Sequence, residues 1–100
     1  MVGIAESKNS VAIRLTDERW FHIVENHNEL AGLADKVLET ISGPDFIVGG
    51  LRGELLAVKK IKERFLVTVY KEERKDGFVI TAFLARKITG LKKRKIIWSK

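Results

Sequence analysis

One hundred residues, 45% of them apolar, suit one globular domain and exclude a disordered chain. The absence of cysteine excludes a disulfide framework and any thiolate metal site. The net charge of +6 is unevenly shared: residues 1–50 carry four basic and eight acidic side chains, whereas residues 51–100 carry fifteen and five. From Arg86 to Lys100 seven basic residues meet no acid. This segregation points to a polyanionic partner, although a solvated lysine-rich surface has the same composition. No stretch approaches the ~20 apolar residues of a membrane span, and Glu6 and Lys8 interrupt the N-terminus where a secretory core would lie. The expectation is a cytoplasmic protein with no membrane partner.

In chain order, residues 1–10 read as a flexible start ending in the polar loop Ser7 to Ser10. Val11 to Leu15 alternates as a short strand. Thr16 then caps a helix whose first turn holds Asp17 and Glu18, where the helix dipole favours acids. Trp20, Ile23, Val24 and His27 share its apolar stripe. Asn28 is placed to cap a second helix carrying Leu30, Leu33, Ala34, Val37, Leu38 and Ile41, closed by Gly43 and Pro44. Strands are expected over 45–50, 53–61, 65–71, 78–87 and 95–99. Lys62 to Arg64 and Lys75 to Gly77 form turns, and Thr89 to Lys93 a loop. The fold class is α+β, with two N-terminal helices on one face of a sheet of four to five strands and the other face free.

Several side chains bear on chemistry. His22 and His27 lie five apart, about 140° round a helix, which disfavours a helix-borne zinc pair wanting i, i+4. His27 reads equally as a half-buried core histidine and His22 as a solvated one. With Glu25 and Glu29 beside them, they are still the natural candidates for proton transfer. Gly49 to Gly53 lacks the pattern of a nucleotide-cradling loop and reads as a turn from which Arg52 projects toward a phosphate. Alternation from Phe78 to Lys87 places Val79, Thr81, Phe83, Ala85 and Lys87 on the free face, and Phe78, Ile80, Ala82, Leu84 and Arg86 toward the core. A threonine in a strand is equally a matter of propensity.

Arg14-Leu15-Thr16-Asp17-Glu18-Arg19, His22-Ile23, Asn26-His27-Asn28-Glu29, Ile41-Ser42-Gly43-Pro44-Asp45, Val79-Ile80-Thr81-Ala82-Phe83 and Trp98 follow one another in a familiar order. The pattern, from about residue 13 to residue 98, resembles the phage and mobile-element nucleases of the barnase–EndoU–colicin–RelE (BECR) type. The resemblance implies one BECR-like domain over 1–100, with a helical N-terminal part and a curved antiparallel sheet that takes RNA on its free face. It implies metal-independent cleavage with no cofactor. Carried over by position, the catalytic candidates are His22, His27, Glu29, Thr81 and Lys87. The chain departs from the family's usual His-Pro-Glu at Asn28, and has Phe83 where tyrosine is common.

Two functions are therefore expected in competition. One is an endoribonuclease, a toxin or phage-conflict effector restrained by a protein antitoxin, acting on single-stranded or ribosome-associated RNA. The other is a non-catalytic nucleic-acid-binding domain of the same shape. In the first, Arg52, Lys59, Arg86, Lys87, Lys92, Lys93, Arg94 and Lys95 are expected to hold the RNA; in the second, the basic tail makes the phosphate contacts. A small interaction module made soluble by its lysines is the third reading.

Overall fold

The N-terminal segment, expected to be flexible, enters the sheet. In the computed structural model, which describes residues 1–100, β1 (Gly3–Glu6) pairs antiparallel with β2 (Ala12–Leu15). The turn between them uses Ser10 at φ 64. Ser7 and Asn9 fasten this turn to Glu72, whose carboxylate accepts from the Ser7 hydroxyl and, at 2.9 Å, from Asn9 Nδ2. Strand β1 is short and carries one buried apolar side chain, Ala5. That leaves almost no periodic signal to read.

Helix α1 (Asp17–Asn26) starts as its cap predicts, with Thr16 Oγ1 accepting the Arg19 N–H at 3.1 Å. The second helix is shorter than its apolar spacing suggests. Asn28–Leu30 is one turn of 3-10 helix, Gly32 adopts φ +82, and only then does α2 (Ala34–Ser42) begin. A left-handed residue cannot sit inside a right-handed helix, so the apolar repeat continues across a break. Helix α2 buries Val37, Thr40 and Ile41.

Strands β3 (Phe46–Gly49), β4 (Leu55–Ile61), β5 (Arg64–Glu73) and β6 (Asp76–Ala85) follow, then a short helix α3 (Thr89–Lys92) and β7 (Ile96–Ser99). The expectation of four to five antiparallel strands is corrected to seven, in the order β1-β2-β6-β5-β4-β3-β7, with β2 and β6 parallel. The α+β class stands, and no helix is long and apolar enough to cross a membrane.

This strand order dictates two crossings. The chain must travel from β2 to β3 past β6, β5 and β4, and the α1–α2 segment does so over one face. There Leu66, Thr68 and Tyr70 of β5 meet the helices, and the buried Thr68 hydroxyl donates to the Val37 carbonyl at 3.1 Å. The chain must also travel from β6 to β7 past β5, β4 and β3. It does so over the opposite face as a strap from Arg86 to Lys95. Ile88 and Leu91 of the strap pack on Val48, Leu56, Val58, Val67 and Val69.

The face expected to be free is thus partly covered. Full burial of a residue such as Ile88 contributes about 2 kcal/mol, enough to anchor a short segment whose other side chains are mostly charged. The sheet also curls: Lys8, beyond β1 at one edge, holds its ammonium 4.8 Å from the Trp98 ring in β7 at the other.

A bulge in β6 corrects the expected alternation. Val69 pairs with Thr81 but Tyr70 pairs with Val79, leaving Ile80 as the extra residue. Before the bulge Val79 faces the helices and Phe78 is exposed; after it Ala82 and Leu84 face them. Ile80 joins Phe83 on the strap side.

Candidate functional site

The bulge and a short partner strand together create the site. Strand β2 covers β6 only as far as Phe78, so the rest of that edge is taken by α1 and the 3-10 turn. Helix α1 ends at this edge, and His27, its C-cap residue, lies with its ring centroid 6.2 Å from that of Phe83 at a tilt of 37°. Phe83 belongs to the strap-side cluster. His27 therefore sits on the rim where the helix side meets the strap side. The next turn presents Glu29, whose Oε2 lies 3.5 Å from His27 Nδ1. That is long for a hydrogen bond, so the carboxylate acts on the ring mainly as a charge. His27 is 35% exposed, and with Nδ1 toward Glu29 its Nε2 is the nitrogen left for a ligand.

The other catalytic candidates separate. His22 points away from the rim and faces Glu25 on the solvated side of α1, Nδ1 to Oε1 3.5 Å. Thr81 is half-buried on β6, directly across from Val69 and two residues before Phe83. Lys87 is exposed two residues past the end of β6, at the start of the strap. His27, Glu29 and Phe83 are brought together, Thr81 shares the Phe83 face, and His22 is set apart.

The basic candidates divide as well. Arg86, Lys92, Lys93, Arg94 and Lys95 are all exposed and, with Lys87, give the strap six cations and no acid. On the opposite side, residues 17–42 carry six acids and two bases, so the imbalance between sequence halves becomes one between faces. Lys59 does not join the basic face. Alternation along β4 turns it to the helix side, where Nζ donates to the Gly43 carbonyl at 3.0 Å. Its neighbour Lys60, absent from the expected contacts, is the exposed one and lies 6.0 Å from the Phe65 ring. Parity from Ile61, which faces the helices, distinguishes the two lysines.

A concavity lies at the far end of the strap, away from the His27 rim. Gly50, Leu51, Arg52, Glu54, Leu56, Val69 and Arg94 border a cavity of about 410 Å³. Glu54, which sequence reasoning passed over, folds back so that its Oε1 accepts the Arg52 N–H at 2.7 Å. Its carboxyl is held below the usual carboxylate range, first by that N–H, then by its own backbone N–H, with the charges of Arg52 and Arg94 adding to the effect. An acid two residues from Arg52 in so basic a half was the available signal. Comparison with family models, curated proteins and solved structures gives no match to this chain.

Proposed function

We propose that this chain is a metal-independent endoribonuclease that cleaves single-stranded RNA by attack of a 2′-hydroxyl on the adjacent phosphate. The observation that carries the reading is His27: half-exposed, facing Glu29, tilted over Phe83, and on the rim of a face whose strap carries six cations. Neutral imidazole takes the 2′-hydroxyl proton at Nε2 while the 2′-oxygen bonds to phosphorus. The bond from phosphorus to the 5′-oxygen of the next nucleotide breaks, and that oxygen leaves with a proton from water. The products are a 2′,3′-cyclic phosphate and a 5′-hydroxyl. Glu29 stabilises the imidazolium formed, Lys87 and Arg86 offset charge on the phosphate, and Phe83 offers a face on which a base stacks. On the resemblance, the setting is a toxin or phage-conflict effector restrained by a protein partner.

One observation favours the second reading, an RNA-binding domain without catalysis. His22 is turned away with Glu25, so the rim holds one histidine and no second imidazole to serve as the acid. The two readings part in one assay: labelled single-stranded RNA in excess EDTA with wild type, His27→Ala and Glu29→Gln. The nuclease reading predicts cleavage by wild type, a loss of about 10²-fold or more in His27→Ala, and a smaller loss in Glu29→Gln. Intact RNA with wild type, alongside salt-dependent binding, favours the second reading.

A further inference from the structure

We infer that the cavity between the β3–β4 turn and the strap is a phosphate-binding subsite for single-stranded RNA, with the Glu54 carboxylate as a built-in competitor for the phosphate. This rests on the proposed RNA function and gives it a second point of attachment away from His27.

The register supplies the argument. The cavity floor is formed by Leu56 of β4 and Val69 of β5, which pair with each other, and Val69 pairs onward with Thr81 of β6. Leu56, Val69 and Thr81 thus form one rung across three adjacent strands, all on the strap side. At about 4.8 Å per strand, Leu56 lies roughly 10 Å from Thr81, and Phe83 and His27 lie just beyond Thr81 at the rim. A strand of RNA with a base against Phe83 that passes Thr81 and skirts the edge of the strap arrives at Arg52 and Arg94. These guanidinium groups are brought to one cavity from the β3–β4 turn and from the strap, and both are exposed. Two arginines over an apolar floor suit a phosphodiester with its sugar.

The place of the phosphate is contested from within. The Glu54 carboxylate borders the same cavity, with Oε1 on the Arg52 N–H at 2.7 Å. It lies so close over Gly50 that a Cβ there would strike its Oε1 and Cδ. A backbone N–H and two arginines are the donors a phosphate oxygen would seek. When RNA arrives, the carboxylate must yield them or repel it.

The test uses a labelled 2′-O-methyl oligonucleotide, which binds but has no 2′-hydroxyl to attack, so its affinity is read whether or not the chain is a nuclease. Glu54→Gln keeps an acceptor for the Arg52 N–H and removes the charge. The expected result is binding tighter by roughly threefold to tenfold at low salt. Arg52→Ala with Arg94→Ala should weaken binding by about tenfold or more and flatten the slope of log K against log salt by about 0.7 per arginine. An oligonucleotide too short to span from Phe83 to the cavity should bind wild type more weakly than a long one, because only one of the two points of attachment is engaged. Unchanged or weaker binding in Glu54→Gln would make Glu54 a lock for the turn only. Arginine variants that bind the long oligonucleotide as wild type does would likewise overturn the subsite. The nuclease proposal fails separately, by the absence of cleavage in the wild type.

Discussion

Lys59→Met separates a cation that holds the fold from those proposed to hold RNA. The Lys59 ammonium donates to the Gly43 carbonyl at 3.0 Å, one residue past the end of α2. The carbonyls at a helix C-terminus lack intrahelical donors and carry the negative end of the dipole. A hydrogen bond from a charged donor contributes about 1.5–3 kcal/mol when buried. Lys59 is half-buried, so water replaces part of it, and methionine keeps the apolar stem in place. The expected cost is about 1–2 kcal/mol, which for a domain of this size lowers Tm by roughly 5–12 °C. Thermal and urea unfolding measure this, and RNA affinity should be unchanged.

Lys92→Met on the strap supplies the converse. It should stay within about 0.5 kcal/mol of wild-type stability while weakening RNA binding and reducing its salt slope. If Lys59→Met leaves stability unaltered and weakens RNA as Lys92→Met does, the assignment of Lys59 to the helix end is refuted.

Two further outcomes test the packing. A Cβ at Gly77 would meet the Lys71 carbonyl oxygen and lie 2.6 Å from Ile13 Cδ1, at the junction of β2, β6 and β5. Backbone cannot yield as a side chain can, so Gly77→Ala should cost about 2–3 kcal/mol in denaturant unfolding. Burial, together with the Glu72 charge, pushes the Tyr70 phenol above its ordinary value. The neutral form is favoured in the folded state, so its contribution is complete below the ordinary tyrosine pKa. It is lost as pH rises from there toward the elevated folded value, at about 1.4 kcal/mol per pH unit. Unfolding of Tyr70→Phe between pH 9 and 11 should show a shallower decline than wild type; an identical decline would contradict the burial argument.

Legibility from sequence followed the length and regularity of the signal. The Thr16 cap and the strand-rich half after Pro44 were plain, because hydroxyl caps and alternating apolar residues act locally. Strand β1 was not, since four residues with one buried apolar side chain give no period to detect. The break at Gly32 was masked because Leu30, Leu33 and Val37 keep helical spacing across it.

The inverted face of Val79 follows from the bulge at Ile80, and alternation counts residues without knowing where a partner strand fails to keep pace. The strap was hidden by its own charge. Ile88 and Leu91 are two apolar residues among six cations, and only the strand order shows that this segment must cross a face.

At the site, the sequence placed His27 and Glu29 side by side, and their nearness follows from two residues of separation. It could not show that His22 turns outward with Glu25, because the direction of α1 relative to β6 is a tertiary fact. Nor could it show Phe83 beneath His27, which depends on β2 ending early and on the phase set by the bulge. Topology, which the sequence does not show directly, decides which of the candidate side chains meet.

Attack by a 2′-hydroxyl with His27 as the base, as proposed, is tested most directly by the ends left on the RNA. A single-stranded oligonucleotide incubated in excess EDTA with wild type and with His27→Ala should give 2′,3′-cyclic phosphate and 5′-hydroxyl ends with wild type alone. Cleavage that leaves 3′-hydroxyl and 5′-phosphate ends, or that proceeds equally in His27→Ala, would contradict it.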